Sequence, residues 1–298
     1  MKFPIIVLVS LCIAVYGVSS LSPVRAAVAP TVVSVVTSST AGGTTDDFSN
    51  GNVNLVAGAD KTIYLNGIVE DLDGRDEIAS VFGVFYRSGV AGGSGCSSDG
   101  NACYRNSSCS LVNNEDLNQK VFSCRLDLHY YADATAAGSA FAAQNWAAYV
   151  YVSDGQSFGE DTSVTKEIPS LLSIFIPTTL PFGARSVGDV STSGNNQEMT
   201  LVQRGNTEAD VEVLMANPFQ CQTGSIPVNS IKWALTDVGF THASSTVITS
   251  QAVDTNVYIG YGNDGTPSPS KVVYWNISVP IGVGGNCTSS ISVSAIAH

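Results

Sequence analysis

Eight carboxylates in two short segments are the residues of this chain best placed to do chemistry. Glu70, Asp71, Asp73, Asp76 and Glu77 surround Gly74, and Asp154, Glu160 and Asp161 lie some eighty positions later. Carboxylates packed together repel one another unless a cation or a base stands between them, and Ca2+ accepts about six to eight oxygens in flexible geometry. Asp71, Asp73, Asp76, Asp154 and Glu160 are therefore the candidate ligands of a Ca2+-stabilised loop tip. The spacing is not that of an EF-hand, because placing Gly74 at the loop glycine puts Val69 where the first ligand belongs. The plainer reading of the same residues is a solvated turn that uses Asp-Gly for its backbone geometry.

Other chemistry has less to work with. Gly260-Tyr261-Gly262-Asn263-Asp264-Gly265 has dinucleotide-loop spacing. A pyrophosphate site needs a helix to start at that turn, and Pro267 and Pro269 follow instead, so a hairpin turn is expected. There are three histidines, His129, His242 and His298, and no Gly-x-Ser-x-Gly elbow. A glycosidase-type carboxylate pair would need a cleft that the sequence does not suggest. No enzymatic activity is expected. Trp146, Tyr149 and Tyr151 cluster in one strand-like run, with Trp233 and Trp275 further on, and all are expected to be buried in cores rather than to form a sugar platform. Asn106, Asn276 and Asn286 begin Asn-x-Ser/Thr sequons.

The elements that must position these residues are strands. Short runs rich in Val, Ile, Thr and Tyr alternate with period two and end at Gly, Asn, Asp or Pro. In the first half they cover residues 31–36, 62–69, 80–86, 121–131, 146–152 and 163–168. In the second they cover residues 173–176, 198–203, 210–215, 231–235, 246–250, 257–261, 272–279 and 289–295. The expected fold is all-β, with two tandem immunoglobulin-like β-sandwich domains, residues 27–168 and 169–298, divided where Pro169 blocks a strand. Residues 134–145 are the one expected helix, and residues 37–54, polar and Gly-rich, are expected to form a mobile loop. The segment after residue 26 is expected to be the first strand of its own domain, the other option being addition to the sheet edge of a neighbouring subunit.

The N-terminus bears on compartment. Met1-Lys2, an apolar stretch from Phe3 to Val18, and Ala26, Ala27 and Ala29 follow the order of a secretory signal peptide, cleaved after Ala26 or Ala29. Cys12 leaves with it, and Cys96, Cys103, Cys109, Cys124, Cys221 and Cys287 remain as three expected disulfides. Bridging within domains pairs Cys221 with Cys287, and local pairing joins Cys96 to Cys103 and Cys109 to Cys124, the second across a hairpin turning at residues 113–116. A net charge of −12 disfavours nucleic-acid binding. The acid excess lies mainly in residues 30–168, which carry 17 acids and 7 bases, against 8 and 4 in residues 169–298. No membrane span is expected in the mature chain.

Two sets of motifs resemble known modules. Residues 62–74, Thr-Ile-Tyr-Leu-Asn-Gly-Ile-Val-Glu-Asp-Leu-Asp-Gly, continue to Phe85-Tyr86-Arg87-Ser88-Gly89. With the Cys-rich hairpin and Tyr130-Tyr131-Ala132-Asp133, they resemble the immunoglobulin-like modules of secreted bacterial surface proteins. Leu180-Pro181-Phe182-Gly183 and Arg204-Gly205-Asn206-Thr207 resemble the opening strands of ASH-type immunoglobulin-like domains. The resemblance covers most of the mature chain and implies a fold and an extracellular or cell-surface place rather than an activity. The resulting expectation is a non-catalytic structural or adhesion protein, a surface-layer or filament subunit whose partner is itself or other surface proteins and glycans. The alternative is a secreted glycan- or protein-binding module with a Ca2+-stabilised tip.

Overall fold

The computed structural model describes residues 27–48 and 50–298, so the expected signal peptide over residues 1–26 lies outside the described residues. Among the described residues, eight strands are formed before residue 168: β1 Thr31–Ser38, β2 Lys61–Glu70, β3 Ser80–Arg87, β4 Cys103–Asn106, β5 Ser110–Asn113, β6 Gln119–Leu128, β7 Trp146–Ser153 and β8 Phe158–Lys166. They make two antiparallel four-stranded sheets, ordered β1-β2-β6-β5 and β4-β3-β7-β8. The pleat selects one face of each sheet for the core. Ile63, Leu65 and Val69 of β2, Phe122, Cys124, Leu126 and Leu128 of β6, Val81 and Phe85 of β3, and Trp146, Ala148, Val150 and Val152 of β7 belong to one buried cluster. Trp146, fully buried, stacks on Phe85 with ring centroids 5.1 Å apart and donates its indole N–H to Asp133 O. Burial of each large apolar side chain here contributes about 1.5–3 kcal/mol.

β1 pairs within its own chain, from Thr31 opposite Glu70 to Ser38 opposite Tyr64, with a bulge between Val32 and Ser34. The structure thus uses the segment after residue 26 as a first strand.

Eleven strands follow: β9 Ile174–Phe175, β10 Gln197–Gln203, β11 Ala209–Leu214, β12 Phe219–Thr223, β13 Ser225–Ile226, β14 Ile231–Ala234, β15 Thr246–Val247, β16 Val253–Asp254, β17 Ser270–Ile277, β18 Gly284–Thr288 and β19 Ser292–Ala297. They form sheets ordered β15-β14-β17-β10-β9, β16-β11-β19 and β13-β12-β18. A second buried cluster collects Met199, Leu201, Val211, Val213, Ile231, Val273 and Ile277 around Trp233 and Trp275, which stand opposite each other on β14 and β17.

The disulfides are Cys96–Cys103, Cys109–Cys124 and Cys221–Cys287, the pairs expected from the sequence. Cys109–Cys124 lies in the first core beneath Gly83, where a Cβ would meet Cys124 Sγ at 2.9 Å. Cys221–Cys287 ties β12 to β18 at directly opposed positions.

Four local expectations are corrected. Residues 134–145 form turns rather than a helix: Gly138 takes φ +85°, and no α-helix occurs among the described residues. The run ending at Tyr131 leaves the sheet at Leu128, because Tyr130 and Tyr131 turn toward residues 264–268. Residues 257–261 contribute only an isolated bridge, Ala209 with Ile259. The described residues of the 37–54 stretch are hydrogen-bonded to the body of the fold, against the expectation of a mobile loop. Asp47 accepts from Ser38 Oγ, Ser39 N and Ser39 Oγ, Gly42 N donates to Asn66 Oδ1, and Lys166 Nζ reaches Asp46 and the carbonyl of Phe48. Composition reports polarity, and here the polar groups bond inward.

The stretches on either side of Pro169 are held by side chains from the motifs singled out in the sequence. Asn206 Nδ2 donates to Ala132 O at 2.9 Å and to Pro169 O at 3.2 Å, while Asn206 Oδ1 accepts from Leu171 N. Tyr130 Oη donates to Pro267 O at 2.6 Å, and Asn101 Nδ2 donates to Gly262 O. Gly205 lies so close to Leu171 O that a Cβ there would overlap the carbonyl.

Candidate functional site

The acidic loop joins β2 to β3 and is shaped by its backbone. Asp71 N donates to Asn118 O and Arg75 N to Leu117 O, which clamps the loop onto the β5–β6 turn. Arg75 reinforces the clamp through Nη1, donating to the carbonyls of Asn114 and Asp116. Gly74, at φ +135° and ψ 138°, makes the bend that starts the single 3-10 turn Arg75–Glu77; other residues rarely adopt that conformation.

Within this loop Asp71, Asp73 and Glu77 each bring an oxygen to within 4.8 Å of the other two. Asp71 is 1% exposed; its Oδ1 accepts from Asp73 N at 2.9 Å, and its Oδ2 has no hydrogen-bond donor. Asp73 Oδ2 accepts from Val28 N at 2.6 Å, so the start of the described chain touches the same loop.

The structure brings together Asp71 and Asp73 of the five candidate ligands and adds Glu77; Asp76, Asp154 and Glu160 stand outside this group. Asp76 is exposed on the 3-10 turn. The two loops do share one end of the sheets, since Ala79 N donates to Ser153 O. Asp154, however, is engaged by its own turn. Its Oδ1 accepts from Gln156 N and Ser157 N, its Oδ2 accepts from Ser157 Oγ, and these bonds to Ser157 hold its carboxyl below the usual aspartate range. Glu160 lies on β8 and accepts from Tyr149 Oη at 2.7 Å. Asp161, in the same acidic segment, accepts from Ser163 N and Oγ. A carboxylate near free backbone N–H groups is captured by them, and sequence spacing does not show which N–H groups its turn will leave free.

The aromatic cluster divides between two faces. Trp146, Trp233 and Trp275 are core residues, as expected. Tyr149 and Tyr151, at the alternate positions of β7, project from the opposite face of the β4-β3-β7-β8 sheet. There Tyr151 stacks on Phe82 at 4.6 Å and on Phe158 at 5.3 Å, and the Arg105 guanidinium lies 4.6 Å from the Phe82 ring centre. Tyr149 is covered by the Cys96–Cys103 bridge, and burial together with Glu160 pushes its phenol pKa up. Phe158 stays 57% exposed at the end of the row. Sequence reasoning expected both tyrosines to be buried, which holds for Tyr149 but only in part for Tyr151, and it missed that they share the other face; the signal available was parity, because Trp146 and the two tyrosines differ by odd numbers of residues.

The remaining motifs resolve as turns and bonds. Asn263 Oδ1 accepts from Gly265 N and Thr266 N, closing a tight turn before β17. His129 Nδ1 is 2.8 Å from Asp60 Oδ1, and its ring stacks on Tyr131. His242 Nδ1 accepts from Ser244 N, and His298 Nδ1 is 3.9 Å from Asp210. Among the described residues no hydroxyl or thiol is hydrogen-bonded to an imidazole in these contacts. Of the sequon asparagines, Asn276 is fully buried, Asn106 Nδ2 donates to Arg125 O, and Asn286 is exposed on β18. Among the described residues no helix is long and apolar enough to cross a membrane.

No protein-family model matches this chain, and no curated protein matches it.

Proposed function

We propose that this chain is a non-catalytic adhesion or structural protein of the cell exterior, exported by residues 1–26 and built of two immunoglobulin-like sandwiches, residues 27–168 and 169–298. The observation that carries the reading is the Phe82–Tyr151–Phe158 row on the outer face of the β4-β3-β7-β8 sheet, ended by a Phe158 ring that is more than half exposed. Stacked rings with a free end suit a contact surface, since aromatic side chains contribute large area at low conformational cost. The sheet orders β1-β2-β6-β5 and β4-β3-β7-β8 and the three disulfides support the fold and compartment parts of the reading.

The test is negative-stain electron microscopy and sedimentation velocity on the secreted chain and on its Phe158→Ala/Tyr151→Ala variant. Regular oligomers or filaments in the parent that vanish in the variant are expected. A parent that stays monomeric at every concentration would end the subunit reading. The same rings flanked by Arg105 and Glu160 also suit stacking against a sugar. Glycan-array binding by a monomer, lost on Phe158→Ala, would move the function to the alternative of a secreted binding module.

A further inference from the structure

The β2–β3 loop makes a claim that does not depend on what the aromatic face contacts. Asp71, Asp73 and Glu77 place three carboxylate oxygens within 4.8 Å of one another. Asp71 and Glu77, one of them removed from water, repel each other at this spacing without a compensating cation. Neither Asp71 nor Glu77 forms an ion pair with any described base. Of the described cations nearby, Arg75 bonds the carbonyls of Asn114 and Asp116, and Lys120 Nζ bonds the carbonyl of Ile78.

The independent observation is the state of Asp71. It is 1% exposed, one oxygen is satisfied by Asp73 N, and the other, Oδ2, is buried without a donor while its carboxylate converges with the other two. A buried carboxylate oxygen with no donor costs free energy that the fold does not recover from any hydrogen bond. A solvated Asp-Gly turn has no need to bury an aspartate in this way.

We propose that Asp71, Asp73 and Glu77 form a Ca2+ site that fastens the β2–β3 loop to the end of the first sandwich. The donors are all carboxylate oxygens, which favours a hard cation over zinc, and three carboxylates from one short loop do not supply the near-ideal octahedron that Mg2+ demands. Three protein ligands leave the remaining positions to water. Exposed Glu77 completes the set from the solvent side, so ions enter and leave without unfolding the core. Affinity is expected in the range of extracellular modules, a Kd of about 10⁻⁴–10⁻³ M.

The experiment is calorimetric titration of chelator-treated full-length secreted chain with CaCl2, paired with melting curves in CaCl2 and in chelator. Saturable binding with one ion per chain is expected, with a melting point raised by about 3–8 °C at a hundredfold excess over Kd. Glu77→Gln, an exposed change that leaves the fold intact, should weaken binding at least about tenfold by removing one charged ligand. Asp71→Asn should abolish the calcium shift and raise the melting point measured in chelator, because the buried charge is gone. Asp154→Asn should leave calcium affinity unchanged. Absence of both heat and melting shift up to about 10 mM CaCl2, well above that Kd range, overturns the site. Binding that survives Glu77→Gln and Asp71→Asn but is lost in Asp154→Asn overturns this ligand set.

Discussion

Asn206 Nδ2 donates to Ala132 O at 2.9 Å across 74 residues of chain. The same amide bonds Pro169 O, and Asn206 Oδ1 accepts from Leu171 N, so one buried side chain holds three backbone segments. Both residues belong to motifs that stand out in the sequence, and here those motifs bond each other rather than a ligand. Asn206→Ala should cost about 1–3 kcal/mol by leaving buried carbonyls unpaired. Urea denaturation with probes in each half should show the two transitions separating; coincident transitions at the parent midpoint would remove Asn206 from this role.

The three disulfides should rank by the loop each closes. Their sequence separations are 66 for Cys221–Cys287, 15 for Cys109–Cys124 and 7 for Cys96–Cys103. Loop-closure entropy then gives costs of about 4, 3 and 2 kcal/mol for removing each pair by double substitution to Ala. Denaturation midpoints of the three variants check the order, and a Cys96/Cys103 variant less stable than the Cys221/Cys287 variant would show that packing outweighs chain entropy.

Lys166 and Asp46 form a lopsided pair. The lysine side chain is 5% exposed and the aspartate side chain 37% exposed. Asp46→Ala strands a buried ammonium, whose remaining bond is to the carbonyl of Phe48, and should cost about 3 kcal/mol. Lys166→Met leaves only a solvated carboxylate behind and should fall within about 1 kcal/mol of the parent. Equal losses in thermal denaturation would contradict the asymmetry.

Acid should loosen the β1–β2 connection first. Hydrogen bonds from Ser39 and Ser38 bring the Asp47 carboxyl down to about 2 from an ordinary 3.8. A carboxyl with a depressed folded pKa stabilises the fold above its unfolded pKa, and that contribution is lost as pH falls through the folded value. Amide exchange in residues 37–47 should therefore accelerate between about pH 4 and pH 2. Ser39→Ala should move the Asp47 titration midpoint, read by carboxyl carbon shifts, toward 3.8; a midpoint already near 3.8 in the parent would refute the arrangement.

The sequence by itself determined what is local. Period-two runs ended by Gly, Asn, Asp and Pro marked the long strands, because backbone pleat and turn geometry are set by near neighbours. β2, β3, β7 and β10 begin and end within one or two residues of their expected limits. β4, β12 and β18 escaped notice, being short, polar and held by partners distant in sequence, the first of them in the Cys-rich stretch. Tertiary structure alone decided direction and company. Alternation says that Trp146 and Tyr149 point opposite ways, but only the packing of β2 and β6 on one side puts the first in the main core and leaves the second to the small cluster around Cys96–Cys103. The carboxylates obeyed the same division. Their clustering in two segments was visible in the sequence, whereas the capture of Asp154 by Ser157 and the burial of Asp71 beside Glu77 depend on how each turn orients its N–H groups.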